Sequence, residues 1–302
     1  MDEAGARSAR SRELVVAAGR EAIRAFGKAS ASWRPDPDFL VIGAKRGGST
    51  SFYFDLLAHP HLCPLFPRPE RLPKAEATKG IHYFDQNYFR GERWYRSHLP
   101  SARVRASQQA RVGGPVVTGE ASPYYLFHPG AAERAAALLP DVKIIAVLRD
   151  PVMRSYSHWK ERRRNGAETL SFPDALAAED ERIGYVEDAL RRDPAFRSYA
   201  HENLSYARQS EYDTALQEWF SRYPAQRILV LASEDYYRDP QSCLDRALQF
   251  LGLPRQDIAT GAVRNAAGGE RLDASVRAQL AARFAPHNHR LEQLTGRTFP
   301  WQ

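Results

Sequence analysis

The sequence predicts a three-layer α/β/α fold, with a central parallel sheet covered by helices on both faces. Three observations predict it. Short apolar runs recur at 39–42, 115–118, 143–148 and 227–232. Helical patterns fall between them at 130–139, 151–163, 205–221 and 240–251, with a long terminal one at 273–294. The first run also collapses into a glycine-rich turn that opens a helix. Strands alternating with helices pair in parallel, are buried on both faces and place ligands at their C-terminal ends.

In chain order, residues 10–27 carry a basic amphipathic pattern on Leu14, Val15, Ala18, Ala22, Ile23 and Phe26. Such a helix packs on its own domain, touches a partner subunit or lies on a membrane surface. Ser32-Trp-Arg-Pro-Asp-Pro-Asp38 reads as a linker, because its prolines stop any helix before the strand at 39. The expected division is a helical leader and linker over 1–37 and a single domain with helical insertions over 38–302. A second proline-rich stretch, 63–73, follows the first helix of that domain. Residues 165–204 have weak periodicity and many charges, and are expected to form a helical insertion near the acceptor site.

With 302 residues and 43% hydrophobic composition, the chain can bury a full core. Its 43 basic and 36 acidic residues give a net charge of +7, which favours anionic ligands. Arg154, Lys160, Arg162, Arg163 and Arg164 crowd one region, whereas elsewhere bases mix with acids and no nucleic-acid module is recognisable. Cys63 and Cys243 make neither a disulfide framework nor a metal cluster, so no metal and a reducing cytoplasm are expected. No run approaches the ~18 apolar residues of a membrane span. The sequence leaves the oligomeric state open, a homo-oligomer included.

Chemistry concentrates in Phe39-Leu-Val-Ile-Gly-Ala-Lys45-Arg46-Gly47-Gly48-Ser49-Thr50-Ser51. Glycines let backbone N–H groups approach an anion, and the following helix adds the positive end of its dipole. An ordinary glycine turn would explain the glycines and hydroxyls, but not adjacent cations at a helix start, where cations are disfavoured. Gly43-x-x-x-x-Gly48 has P-loop spacing, which makes the fold P-loop-like, but Ser49 stands where an ATP enzyme needs lysine. An adenylyl-sulfate donor fits this loop better than ATP.

Ala146-Val-Leu-Arg149-Asp-Pro-Val-Met-Arg154-Ser-Tyr-Ser157 repeats the logic. A strand ends in Arg149, Pro151 suits the first turn of a helix, and Ser157 follows on that helix. A guanidinium and a hydroxyl suit an isolated phosphate, although Arg149 and Asp150 could equally pair with neighbours. Together the two loops describe a nucleotide with phosphates on both sides of its ribose.

These stretches resemble the sulfotransferases that use 3′-phosphoadenosine-5′-phosphosulfate (PAPS). The Gly43–Ser51 stretch is similar to their phosphosulfate loop, and Leu148-Arg-Asp-Pro through Ser157 to their 3′-phosphate motif. Ile81-His-Tyr-Phe-Asp85, Gly91-Glu-Arg-Trp-Tyr95, Gly119-Glu-Ala-Ser-Pro123-Tyr, Phe250-Leu-Gly-Leu-Pro254 and Leu294-Thr-Gly-Arg-Thr-Phe-Pro-Trp301 resemble the heparan sulfate type in kind and order. The resemblance covers roughly 38–302 and implies that Lys45, Arg46, Gly47, Gly48, Ser49 and Thr50 hold the phosphosulfate, while Arg149 and Ser157 hold the 3′-phosphate. Arg271, in Gly268-Gly-Glu-Arg, would add a contact from a closing loop, or be solvated.

The chain departs from that pattern in places. The family's lysine aligns with Arg46, so either Lys45 or Arg46 neutralises the leaving phosphate. Gly80 replaces the glutamate that resembles a general base, and Ala121 replaces a nearby lysine. His82 becomes the candidate base, with an ordinary pKa near ~6.5, against the alternative of a structural histidine. Glu120 is the reserve base, and Asp85 orients His82, caps a helix or pairs with Lys79. Tyr83, Phe84, Tyr124, Tyr125 and Phe127 line an acceptor cleft or pack in the core. The sequence thus reads as an O-sulfotransferase moving a sulfuryl group from PAPS to a carbohydrate or a glycosylated or hydroxylated small metabolite. A small-molecule kinase and a non-catalytic nucleotide or polyanion binder are the alternatives.

Overall fold

A computed structural model describes residues 25–66, 80–259 and 272–301. Most of the 10–27 pattern, Lys79 and Arg271 lie outside them, although residues 25–29 are helical. Four strands, β1 (Phe39–Gly43), β2 (Gly119–Ala121), β3 (Lys143–Leu148) and β4 (Ile228–Ala232), form one parallel sheet in the order β2-β1-β3-β4. The sequence assigns the second strand to 115–118. There only Val117 pairs, in a single parallel bridge with Leu62, and the ladder to β1 falls on the less apolar Gly119-Glu120-Ala121. Gly119 is required at its position because a Cβ would lie 2.4 Å from the Phe39 ring.

Alternate residues of β1 and β3 serve opposite faces, as the period of a strand demands. Leu40, Ile42, Ile144 and Ala146 meet Tyr83, Tyr95, Tyr125 and Trp219 on one side. Phe39, Val41, Ile145 and Val147 meet Phe52, Leu56, Leu244 and Leu248 on the other. Every one of these side chains is buried, which gives the predicted three layers.

The main helices are α1 (Ser49–Leu57), α2 (Ala131–Leu138), α3 (Pro151–Arg164), α4 (Tyr199–Asn203), α5 (Tyr212–Phe220), α6 (Ser233–Arg238), α7 (Pro240–Leu251) and α8 (Ala274–Thr295). α3 starts where the sequence sets it, with Pro151 in its first turn and the Asp150 carboxylate accepting the Met153 N–H at 2.8 Å. The helical pattern at 205–221 breaks into a turn at Arg208–Ser210 followed by α5. The 165–204 insertion consists of short helices. A third cluster, built from Tyr156, Phe172, Tyr206 and Phe284, packs it and α8 against α3. Cys63 and Cys243 are both buried. Among the described residues no helix is long and apolar enough to cross a membrane, and no group of three His, Cys, Asp or Glu could hold a metal.

Candidate active site

β1 and β3 are neighbours, so their C-terminal ends bring the two anion loops side by side. The first loop is held tightly. Ala44 donates its N–H to the Val147 carbonyl at 2.7 Å, and Gly47 donates to the Ala44 carbonyl at 2.9 Å. A Cβ on Gly47 would come within 2.6 Å of the Val147 carbonyl oxygen. Gly48, at φ 88°, is the N-cap of α1 and has no side chain with which to cap it. Gly47→Ala is therefore expected to push the loop off β3, abolish nucleotide binding and cost about 1–3 kcal/mol of stability, read by calorimetry and thermal melting.

The loop's cations diverge. Arg46, at φ 67°, donates from Nε to Ser157 Oγ at 3.2 Å and faces Glu161 Oε1 at 3.7 Å. Lys45 turns the other way, where Nζ meets Glu202 Oε1 and Asn203 Oδ1, each at 3.1 Å. Burial holds both cations' pKa values below their ordinary range, against the pull of Glu202 on Lys45 and of Glu161 on Arg46. Arg149 sits just past β3, and among the described residues its guanidinium has no hydrogen bond or ion pair. Its backbone is fixed instead: Tyr212 donates to its carbonyl at 2.9 Å, and Asp150 donates its N–H to Glu234 Oε1 at 2.9 Å. Glu234 Oε2 accepts from Trp301 Nε1 at 2.8 Å, so the C-terminal segment braces this corner.

Three contributors escape the sequence patterns. Arg154, fully buried, supports the first loop by donating to the Lys45 carbonyl at 3.3 Å, and is itself held by Ser210 and Tyr206. Desolvation pulls its pKa down to about 10, which leaves it charged. Ser233 and Tyr237, on α6, border Gly48, and a Cβ there would meet either hydroxyl at 3.1 Å. Only Arg154 had a signal, its place in the basic cluster.

Across from Lys45, a π-helical turn, Tyr83–Asn87, presents His82 and Asp85. His82 Nδ1 lies 2.8 Å from Asp85 Oδ2, and the Asp85 side chain is fully enclosed while that of His82 is 31% exposed. Burial disfavours the imidazolium, but Asp85, with Glu120 and Glu202 behind it, outweighs this and raises the His82 pKa. Asp85 thus orients His82 and leaves Nε2 as the ring's open pole.

Glu120 lies within β2 rather than past its end, and it is sealed from solvent. Its oxygens accept from the Ile81 N–H at 2.6 Å, Ser122 Oγ at 2.7 Å and Tyr125 OH at 2.9 Å. Ser122 Oγ in turn accepts the His82 N–H at 2.9 Å. Glu120, the reserve base of the sequence reading, thus braces the His82 turn from a buried position. Gly80 explains why no carboxylate stands there, because a Cβ would lie 2.4 Å from the Ala121 carbonyl oxygen. Of the aromatic candidates, Tyr83, Phe84 and Tyr125 belong to the core. Tyr124 faces the site, with Lys45 Nζ 5.8 Å from its ring, and Phe127 stacks on His201 at 4.4 Å.

A family model for the sulfotransferase domain matches residues 36–267. The chain belongs to the sulfotransferase family. This sulfotransferase is 28% identical over 225 residues to the Bos taurus bifunctional heparan sulfate N-deacetylase/N-sulfotransferase 2, over 72% of this chain and 22% of that protein. It is 27% identical over 297 residues to the Homo sapiens heparan sulfate glucosamine 3-O-sulfotransferase 6, over 88% of this chain and 73% of that protein. To the Dictyostelium discoideum membrane-associated sulfotransferase kil1 it is 23% identical, over 88% of this chain and 66% of that protein. The chain thus spans about a fifth of the bovine relative and about two thirds of the Dictyostelium one. Among solved structures, a sulfotransferase from Alicyclobacillus acidocaldarius superposes with a TM-score of 0.61 at 25% identity, covering 88% of this chain and 98% of that one. The sulfotransferase's cations and His82 lie at the strands' C-terminal ends. A cavity of about 470 Å³ lined by Asp38, Pro140 and Lys143 opens at the opposite ends and holds none of them.

Proposed function

We propose that this sulfotransferase moves the sulfuryl group of PAPS to a hydroxyl of a carbohydrate or of a glycosylated or hydroxylated small metabolite. The observation that carries the reading is the Arg149 guanidinium, held without a protein partner among the described residues beside the Arg46–Ser157 pair. Two anion sites on adjacent strand ends suit a nucleotide phosphorylated at both 3′ and 5′ positions, and the relatives' sulfotransferase names agree with such a donor. Carbohydrate acceptors enter through the heparan sulfate relatives.

Each group then has a task. Arg149 and Ser157 grip the 3′-phosphate, while Gly47, Gly48, Ser49 and Thr50, with the α1 N-terminus, cradle the phosphosulfate. Lys45, on the acceptor side of the loop, stabilises charge developing on the leaving phosphate, and Arg46 supports it from the Ser157 side. His82, oriented by Asp85, takes the acceptor's proton as its oxygen bonds to sulfur and the sulfur–oxygen bond to the phosphate breaks.

Calorimetry with adenosine 3′,5′-bisphosphate, adenosine 5′-monophosphate and Mg-ATP tests the donor class. The bisphosphate is expected to bind about 100-fold more tightly than the monophosphate, the worth of a charge-assisted phosphate contact. Preference for Mg-ATP would overturn the assignment in favour of a kinase.

A further inference from the structure

Lys45 is more fully engaged than a waiting phosphate ligand needs to be. An ammonium has three N–H donors. Here Nζ faces three acceptors: the Glu202 carbonyl at 3.2 Å, Glu202 Oε1 at 3.1 Å and Asn203 Oδ1 at 3.1 Å. Asn203 Oδ1 is shared with Arg162 at 3.1 Å. The second Glu202 oxygen accepts from Gln86 Nε2 at 2.7 Å, and the Gln86 N–H donates to Asp85 Oδ1 at 2.6 Å. One carboxylate from the insertion therefore ties the donor loop to the turn that orients His82.

An anion can reach Lys45 only by taking the place of one of these acceptors. The Glu202 carbonyl and Asn203 amide are neutral, whereas the Glu202 carboxylate and an incoming phosphosulfate repel each other across one ammonium. The Lys45 and Glu202 side chains are only 17% and 21% exposed, so solvent screens the contest weakly. The carboxylate is the group that yields.

We propose that Glu202 is a positioning residue that acts by release: its carboxylate holds Lys45 until the donor takes Lys45 and frees the carboxylate. The inference rests on the donor class proposed above.

A double-mutant cycle read by calorimetry with adenosine 3′,5′-bisphosphate tests it, using wild type, Glu202→Gln, Lys45→Ala and the double variant. Glu202→Gln is expected to tighten the bisphosphate about fivefold, the worth of one competing ion pair, and Lys45→Ala to weaken it. In the Lys45→Ala background Glu202→Gln should change nothing. Tightening in that background as well would mean general repulsion and would overturn the latch. Weaker binding by Glu202→Gln would also overturn it, by showing that Glu202 aims Lys45 at the donor. Glu202→Ala provides the same comparison if the glutamine variant does not fold. Wild type that fails to bind the bisphosphate would refute the donor class itself, whereas wild type that binds it with a flat cycle would refute the latch alone.

Discussion

Arg149→Ala is expected to weaken adenosine 3′,5′-bisphosphate about 100-fold while leaving adenosine 5′-monophosphate within about twofold, as measured by calorimetry on both ligands. The magnitude follows from losing charge-assisted hydrogen bonds, worth about 1.5–3 kcal/mol against one phosphate. The selectivity follows from geometry. Among the described residues the guanidinium binds nothing in the protein, so its removal leaves no buried group unpaired. The corner it leaves stays fixed through its backbone, by Tyr212 on the Arg149 carbonyl and Glu234 on the Asp150 N–H. The melting temperature should accordingly stay within a degree or two. Equal losses for the two nucleotides would move Arg149 out of the 3′-phosphate site.

His82→Ala should lower kcat by about 10²–10⁴-fold with bisphosphate affinity unchanged, the split expected when a base is lost but the donor site is intact. The pH profile supplies a second readout. On the mechanism proposed above the working form is the neutral imidazole, and the pKa of His82 is raised above its ordinary 6.5 because Asp85, Glu120 and Glu202 outweigh burial. Turnover should therefore fall as pH drops through that raised value and level off above it. Asp85→Asn removes the largest of the favouring charges and should carry the acid limb to lower pH. Near-native turnover by His82→Ala would remove the histidine from the proton transfer.

The fold was legible wherever a buried strand makes an uninterrupted apolar run, as in Phe39–Gly43, Lys143–Leu148 and Ile228–Ala232. It was not legible in β2, whose Gly-Glu-Ala is placed by packing under Phe39 and by hydrogen bonds around Glu120. A charged residue in a three-residue strand defeats any hydropathy pattern. The strand-end positions of the two candidate anion loops were legible because glycine, cations and hydroxyls at a strand end have a local physical reason to be there. Glu202, Gln86 and Arg154 were not, since their roles arise from contacts across more than fifty residues of chain. The bracing contacts of Glu120 were hidden for the same reason: nothing local tells a carboxylate that accepts three hydrogen bonds from one that accepts none.

The crowding at Gly80 bears on how the site can be re-engineered or can diverge. Restoring a carboxylate at position 80 looks like a single exchange, yet the space for it is filled by the main chain leaving β2. That stretch also sets the height of Ser122 and, through it, of His82. A glutamate graft would have to move the strand exit, and the imidazole with it. The absent side chain and the placed histidine are thus tied through one stretch of main chain, and a carboxylate at position 80 requires a remodelled backbone before it requires a new residue.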